Sequence, residues 1–408
     1  MKELEYKGPK LATNATEIEP KKTMAFLGPP GTFTEEVALK LAKDSNAILI
    51  EANSITQIFD LVQQGIVTYG TVPIQNSTDG DIKNTIDGLL QYPHVSISGE
   101  SIQDIRLYVY TQHGANPSDI NCIVSKDTAL RQSEKNLKKL YPHVPPQNYI
   151  AINSTSLGVP MAAENRNTAA VAGIHAAESL GLTHKVNRSE ESIEDNPNNA
   201  TTFVIITKSE EHPAPTGNDK TTFIMDVNDA PGSLHRILTA LKEKGINLNK
   251  IKNIKKDDGK MSFLVSIDGH QKDPQVKDAL LSLNAISPRV SVRGSYPKAA
   301  YTPRTTLREL DMPTAIERVK KEAQNGNNTE NQTIVFTLPN EPGSLANALE
   351  PFAQMDVNLT VIDSQPSGLH DQYIFYLGYD KSNLDTEVQT FLLHELARRC
   401  TQMVLLET

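Results

Sequence analysis

The sequence predicts an α/β domain followed by two copies of a small α+β domain, and three observations point there. Between residues 24 and 207, short apolar strands alternate with amphipathic helices, the rhythm of α/β units on a mostly parallel sheet. The segment Asn228-Asp229-Ala230-Pro231-Gly232-Ser233-Leu234 recurs 111 positions on as Pro339-Asn340-Glu341-Pro342-Gly343-Ser344-Leu345, which marks an internal duplication. A chain of 408 residues with 38% hydrophobic and 22% charged residues corresponds to about three domains, at roughly 100–200 residues each.

Taken in order, residues 1–22 are polar, of mixed charge and without an apolar stretch; they read as a disordered tail, neither signal peptide nor anchor. Residues 23–208 form the α/β region. Strand Met24–Leu27 precedes a helix over 35–43, strand 48–50, helix Ile55–Gln64, strand Gly70–Ile74 and a helix over 82–90. Strands Arg106–Tyr110 and Cys122–Ser125, a helix over Ala129–Leu140, strand 150–152, a helix over 156–164 and strand Thr168–Ala172 continue the pattern. Strand Thr202–Thr207 closes it, and Ser209–Asp219, rich in charge, Pro and Gly, reads as a linker. The first repeat spans 219–296 and the second 331–408, with Leu238, Asn247, Leu248 and Ile251 answered in register by Leu349, Asn358, Leu359 and Ile362. Each copy has a strand before its Pro-Gly turn and a helix after it, and the period is too long for a solenoid, so this is a duplicated βαββαβ domain. Residues 297–330 form a polar spacer with a helix expected to start at Asp311 as N-cap, with Pro313 in its first turn.

The net charge of -9 argues against nucleic acid or an anionic membrane as partner, because clustered Lys and Arg hold both. Cys122 and Cys400 are too few for a disulfide framework, and a reducing cytoplasmic setting is expected. No apolar run approaches the roughly 20 residues needed to cross a bilayer.

Four polar segments sit at strand ends or helix starts. Leu27-Gly28-Pro29-Pro30-Gly31-Thr32-Phe33-Thr34-Glu35 passes from a strand through a Gly-bracketed turn to a helix capped by Thr32 or Thr34, where free N–H groups suit an anion. It matches neither the P-loop nor the dinucleotide fingerprint. Val72–Gly80 is a second strand end running into amide and hydroxyl residues; ligands of open α/β sheets sit at such edges. Ser125, Thr128 and Gln132 gather at the start of a helix. Asp195–Phe203 leads into the closing strand, where a hydroxyl such as Thr201 can give a proton or hydrogen bond to a leaving oxygen. Together they imply a polar cleft for a small molecule.

In order and spacing the four segments resemble the prephenate dehydratase family followed by ACT regulatory domains. Leu27–Ala38 is similar to that family's Gly-Pro-Glu-Gly-Thr-Phe-Ser opening, Val72–Gly80 to its Val-Pro-Ile-Glu-Asn-Ser segment, and Asn199–Phe203 to its Asn-x-Thr-Arg-Phe motif. Ser125 and Gln132 fall on its Ser and Gln, and Ser154-Thr155 on its Ser-Thr pair. In the second repeat, Gly343-Ser344-Leu345 and Asp363-Ser364-Gln365-Pro366 are similar to the motifs at which family members bind phenylalanine. The resemblance covers residues 24–208 and 219–408. It implies a two-lobed α/β catalytic domain of the periplasmic-binding-protein type, followed by two ferredoxin-like ACT domains. It also implies conversion of prephenate to phenylpyruvate, water and carbon dioxide without metal or cofactor, phenylalanine as effector, and a homodimer or higher homo-oligomer.

Carried onto this chain, the resemblance makes Thr201 the acid and has Asn76, Ser125 and Gln132 orient the substrate, with Gln75 beside them. Thr32 and Phe33 form the anion-receiving turn, Ser154 and Thr155 line the opposite lobe, and Phe203 is a wall. Gly343, Ser344, Leu345, Asp363 and Ser364 would bind the effector, the first copy serving as packing partner. The chain departs from the family pattern at Pro30 and Gln75, each in place of Glu, at Thr202 and Gln365, each in place of Arg, and at Lys126, in place of His. Lys126 and Arg131 are expected to supply the positive charge that Thr202 lacks, since a guanidinium fork is the natural partner of a carboxylate. A decarboxylase that spares the hydroxyl and a non-catalytic aromatic-amino-acid sensor are the alternatives.

Overall fold

The computed structural model describes residues 21–208, 213–228, 230–255, 261–304, 316, 331–366 and 372–406. Residues 1–20 of the expected tail, part of the linker at 209–212 and the expected helix start at Asp311 lie outside the described residues.

The first lobe contains β1 (Thr23–Leu27), α1 (Phe33–Ser45), β2 (Ile48–Ala52), α2 (Ile55–Gln64), β3 (Tyr69–Asn76), β4 (Gly80–Asp81), α3 (Lys83–Gln91) and β5 (Ser96–Asp104). The chain then crosses to a second lobe: β6 (Tyr108–Gln112), β7 (Cys122–Ser125), α4 (Asp127–Gln132), α5 (Glu134–Leu140), β8 (Tyr149–Ala151), α6 (Gly158–Glu164), β9 (Thr168–Ala172), α7 (Ala176–Ser179) and β10 (Val186–Arg188). It returns to the first lobe as β11 (Ala200–Thr207). The first sheet runs β2-β1-β3-β11-β5 with β4 paired to β3, and the second β10-β6-β9-β7-β8.

Each sheet is parallel over only three strands at one side, β2-β1-β3 in the first and β9-β7-β8 in the second, which corrects the expectation of a mostly parallel sheet. β11 runs antiparallel to β3 and β5, because it brings the chain home from the other lobe. β6 runs antiparallel to β9 and to β10. The helix expected over Ala129–Leu140 is two helices. The Gln132 carbonyl accepts from the Asp195 amide at 2.7 Å, and that tertiary bond diverts the backbone at Ser133.

Local signals explain the elements that hold. Thr32 caps α1, its hydroxyl accepting from the Glu35 amide, and Ser54 caps α2, which ends at Gly65 in the left-handed region. The apolar stripe Ile55, Ile58, Phe59, Val62 of α2 packs with Val72, Ile86, Leu89, Val95, Ile97, Val204 and Ile206 to form the core of the first lobe.

Two further βαββαβ runs follow. The first comprises β12 (Asp219–Val227), α8 (Ser233–Glu243), β13 (Leu248–Lys255), β14 (Met261–Asp268), α9 (Pro274–Ile286) and β15 (Arg289–Pro297). The second comprises β16 (Asn331–Pro339), α10 (Ser344–Gln354), β17 (Leu359–Pro366), β18 (Gln372–Asp380), α11 (Thr386–Ala397) and β19 (Gln402–Leu406). They join in one eight-stranded sheet, β15-β12-β14-β13-β17-β18-β16-β19. The joint is β13 against β17, antiparallel, with Lys252 opposite Asp363. These two residues are equivalent in the repeat, 111 positions apart, so each copy meets the other at its own counterpart.

One face of this sheet carries its helices over a shared core that includes Phe223, Met225, Leu238, Phe336, Leu349 and Phe352. The other face of the first unit lies on the first lobe, where Ile224, Leu264 and Tyr296 enter the lobe's own core. Fully burying each such side chain is worth about 1.5–3 kcal/mol. The approach is close: a Cβ added at Gly294 would stand 2.0 Å from the carbonyl oxygen of Ile97, so only glycine fits there. Among the described residues no helix is long and apolar enough to cross a membrane.

Candidate active site

A cavity of about 540 Å³ lies between the two lobes, at the carboxyl ends of β1, β3, β7 and β8. That is the size of a small-molecule site. The first lobe lines it with Gly28, Thr32, Phe33, Thr34, Glu51, Asn76, Asp79, Thr201 and Phe203, and the second with Lys126, Thr128, Arg131, Gln132, Ser154 and Thr155, among others. Where the lobes touch, Gly31 has φ +81, and a Cβ there would press on Ser156 and Ala176 of the second lobe at 3.0–3.1 Å.

A chain of neutral amides and hydroxyls forms the floor. Asn76 Nδ2 donates to Thr201 Oγ1 and to Asn199 Oδ1, each at 2.9 Å. Asn199 Nδ2 donates to Gln132 Oε1 at 2.9 Å, and Gln132 Nε2 donates to Asp79. The Oδ1 of Asn76 accepts from the amides of Thr78 and Asp79, both at 2.8 Å, which ties down the turn between β3 and β4. Asn76, Gln132, Asn199 and Thr201 are all buried. Because Asn76 donates into the Thr201 oxygen, the hydroxyl hydrogen of Thr201 is left for the cavity.

Electrostatics in the cavity come from few groups. Asp79 is answered by Arg131 at 3.2 Å, and Arg131 also binds Asp127 at 3.0 Å, so its charge is shared between two carboxylates. Lys126 makes no ion pair among the described residues and lines the cavity. The first-turn amides of α1 add the positive end of a helix dipole, at Phe33 and Thr34. Among the described residues no cluster of His, Cys, Asp and Glu could hold a metal ion.

The structure brings together Thr201, Asn76, Gln132, Thr32, Phe33, Ser154, Thr155, Phe203, Lys126 and Arg131 around one cavity. Two expected members are elsewhere. Ser125 is fully buried and donates to the Val171 carbonyl at 2.6 Å, so its hydroxyl ties β7 to the loop end of β9 and does not line the cavity. Gln75 pairs directly with Thr202 and with Asp81, on the sheet face away from Asn76, Thr201 and Phe203. Neither Gln75 nor Thr202 lines the cavity, which also corrects the expectation that charge missing at 202 is missing from the binding face. Arg131 is already committed to Asp79 and Asp127, leaving Lys126 as the cation open to a ligand. The sequence by itself points to no role for Asp79, and to Asn199 only through its place in the Asn-Ala-Thr-Thr-Phe motif.

In the C-terminal sheet, Gly343, Ser344 and Leu345 line a cavity of about 20 Å³ with Asn247 and Leu248 of the other copy. Its twin, about 30 Å³, is lined by Gly232, Ser233 and Leu234 with Asn358 and Leu359. Asp363 and Ser364 line neither. Ser364 Oγ exchanges hydrogen bonds with the Ile251 amide and carbonyl, at 2.8 and 3.2 Å, and Asp363 pairs with Lys252. The expected single effector site is thus separated into turn residues at a cavity and strand residues that hold the seam.

Comparison with known proteins follows this division. Residues 24–211 match the prephenate dehydratase family model and residues 221–285 the ACT domain model. The chain is 34% identical over 292 residues to the bifunctional chorismate mutase/prephenate dehydratase of Pseudomonas aeruginosa, covering 71% of this chain and 77% of that one. It is 30% identical over 281 residues to the prephenate dehydratase of Corynebacterium glutamicum, covering 67% and 87%. The structure of prephenate dehydratase from Arthrobacter aurescens in complex with L-Phe superposes with a TM-score of 0.63 at 27% identity, covering 74% of this chain and all of that one.

Proposed function

The chain belongs to the prephenate dehydratase family, and from that premise we propose how its cleft converts prephenate to phenylpyruvate, water and carbon dioxide. The observation that carries the reading is the 2.9 Å bond from Asn76 to Thr201, which leaves the Thr201 hydroxyl as a donor facing the cleft. The ring hydroxyl of prephenate takes that hydrogen bond and leaves as water, its proton relayed from solvent through Thr201. The bond to the ring carboxylate breaks as carbon dioxide departs, and its electron pair enters the ring, which becomes aromatic. Lys126 and the α1 amides of Phe33 and Thr34 receive the two substrate carboxylates. A neutral floor of Asn76, Asn199 and Gln132 orients the ring without repelling them.

The second βαββαβ unit, 331–408, is read as a second ACT domain, supported by its shared element order and the 111-residue register. Phenylalanine is the feedback effector of this reading, bound at the Gly-Ser-Leu turns. Those twin cavities are only water-sized, so binding opens the turn of one copy away from the strand of the other.

The test is purified protein with prephenate at neutral pH, following phenylpyruvate and carbon dioxide against a no-protein control. Both products are expected, and Thr201→Ala should lower kcat by about 10²–10³-fold, as for removal of a preorganised donor. Carbon dioxide without phenylpyruvate would make the protein a decarboxylase, and neither product would make it a sensor.

A further inference from the structure

The cleft uses one face of the β3–β4 hairpin; the other face carries a buried ion cluster outside the reaction. Pairing of Gln75 with Asp81 and of Asn76 with Gly80 points Asn76 and Asp81 to opposite faces. The Asp81 side chain, 4% exposed, meets Lys250 and has the Lys252 ammonium 3.3 Å from Oδ2. Lys252 also pairs with Asp363, so the cluster joins the catalytic hairpin, β13 of the first ACT unit and β17 of the second. Burial by itself would raise the Asp81 carboxyl, but the charges of Lys250 and Lys252 hold it below its ordinary value, so Asp81 stays ionised. Docking of the two domains has other anchors: Lys220 with Glu100 at 2.8 Å, Arg293 with the Pro93 carbonyl at 3.0 Å, and the apolar contacts of Ile224, Leu264 and Tyr296. In the second unit the counterpart of Lys250 is Val361, which is 44% exposed.

We propose that Lys250 and Lys252 are positioning residues for the dehydratase reaction, holding through Asp81 the hairpin that carries Asn76. This rests on the roles given above to Asn76 and Thr201. Lys250 fixes Asp81, and Asp81 follows Gly80 in the short strand paired to β3. Asn76 gathers the amides of residues 78 and 79 and then reaches Thr201. A misplacement of about 1 Å in such a chain costs on the order of 10²-fold in rate. Because Lys252 answers both Asp81 and Asp363, a shift along the β13–β17 seam changes the hold on the catalytic turn.

The test uses the full chain, with Lys250→Met against Lys220→Met, which removes a comparable interdomain ion pair remote from the hairpin. Two readouts are taken: steady-state turnover of prephenate, and amide hydrogen exchange at Thr78 and Asp79. Lys250→Met should lower kcat about tenfold or more with KM within about twofold, and speed exchange at those amides about tenfold. Lys220→Met should leave both readouts within about twofold, and Lys250→Arg, which keeps the charge, should recover most of kcat. Lys252→Met gives the same comparison if Lys250→Met does not fold. Unchanged kcat and exchange in the lysine variants, or equal losses in Lys220→Met, would overturn the proposal. If the unaltered protein does not turn over prephenate, the functional reading fails, and the exchange comparison alone supports or overturns the positioning role.

Discussion

Lys252 in the first βαββαβ unit and Asp363 in the second occupy the same place in the repeat and face each other across the β13–β17 seam as opposite charges. Two identical subunits meeting at such an axis would set like charge against like. Joining both copies in one chain lets the halves diverge until the axis carries an ion pair. Two residues earlier the divergence is wider, since Lys250 reaches the catalytic hairpin while Val361 meets solvent. The turns diverge least: Gly232-Ser233-Leu234 and Gly343-Ser344-Leu345 are identical and line twin cavities. Shared backbone plan is thus kept where a glycine turn shapes a cavity, and lost where a strand meets a different neighbour in each half.

The largest effect is expected from Lys252→Asp, which sets a third carboxylate beside Asp81 and Asp363. Above about pH 7, where Asp363 has lost its proton, breaking a buried pair in this way should cost about 3–5 kcal/mol in urea denaturation, and adding Asp363→Lys should recover much of it. Equal stability of the single variant and the parent would show that charge does not hold the seam. A smaller effect is expected on the pH profile. Burial first, then the neighbouring Asp81 charge, pushes the Asp363 carboxyl up to about 7, against the attraction of the lysines. Between the unfolded value near 4 and about 7 the native state then holds the extra proton, so this group's contribution to stability is full below that window. It is lost as pH rises through it, at no more than about 1.4 kcal/mol per pH unit for one proton. Asp363→Asn should flatten that part of the profile; an unchanged difference between pH 4 and pH 7 would mean Asp363 titrates normally. The smallest effect is expected from Val361→Lys, which copies Lys250 onto a solvent-exposed position of the second unit. Its stability should stay within about 0.5 kcal/mol of the parent, read by the same denaturation.

Much of the fold was legible because it is written in local pattern. Helix α2 announced itself by the stripe Ile55, Ile58, Phe59, Val62, and α1 by the Thr32 cap. Strand β5 was not legible: Ser-Ile-Ser-Gly-Glu-Ser-Ile-Gln-Asp has no apolar run, and it is a strand because β11 pairs along its length. The break at Ser133 was hidden for a similar reason, since a hydrogen bond from Asp195 makes it. In the candidate site, Asn76, Gln132 and Thr201 were legible by motif, whereas Asp79 entered only through its contacts with Gln132 and Arg131.

By itself the sequence determined the order of strands and helices, the duplication at 111 residues and the residue types available to a polar cleft, because periodicity, caps and repeats are properties of neighbours along the chain. Only the tertiary structure decided which face each of those residues takes. It turned Gln75 and Thr202 from the substrate to the Asp81 side of the sheet, committed Arg131 to two carboxylates, and brought Lys250 from the C-terminal sheet to the hairpin of the catalytic turn. Strand alternation sends adjacent residues to opposite faces, and what lies on each face comes from distant segments, 52 residues away for Arg131 and Asp79 and 169 for Lys250 and Asp81.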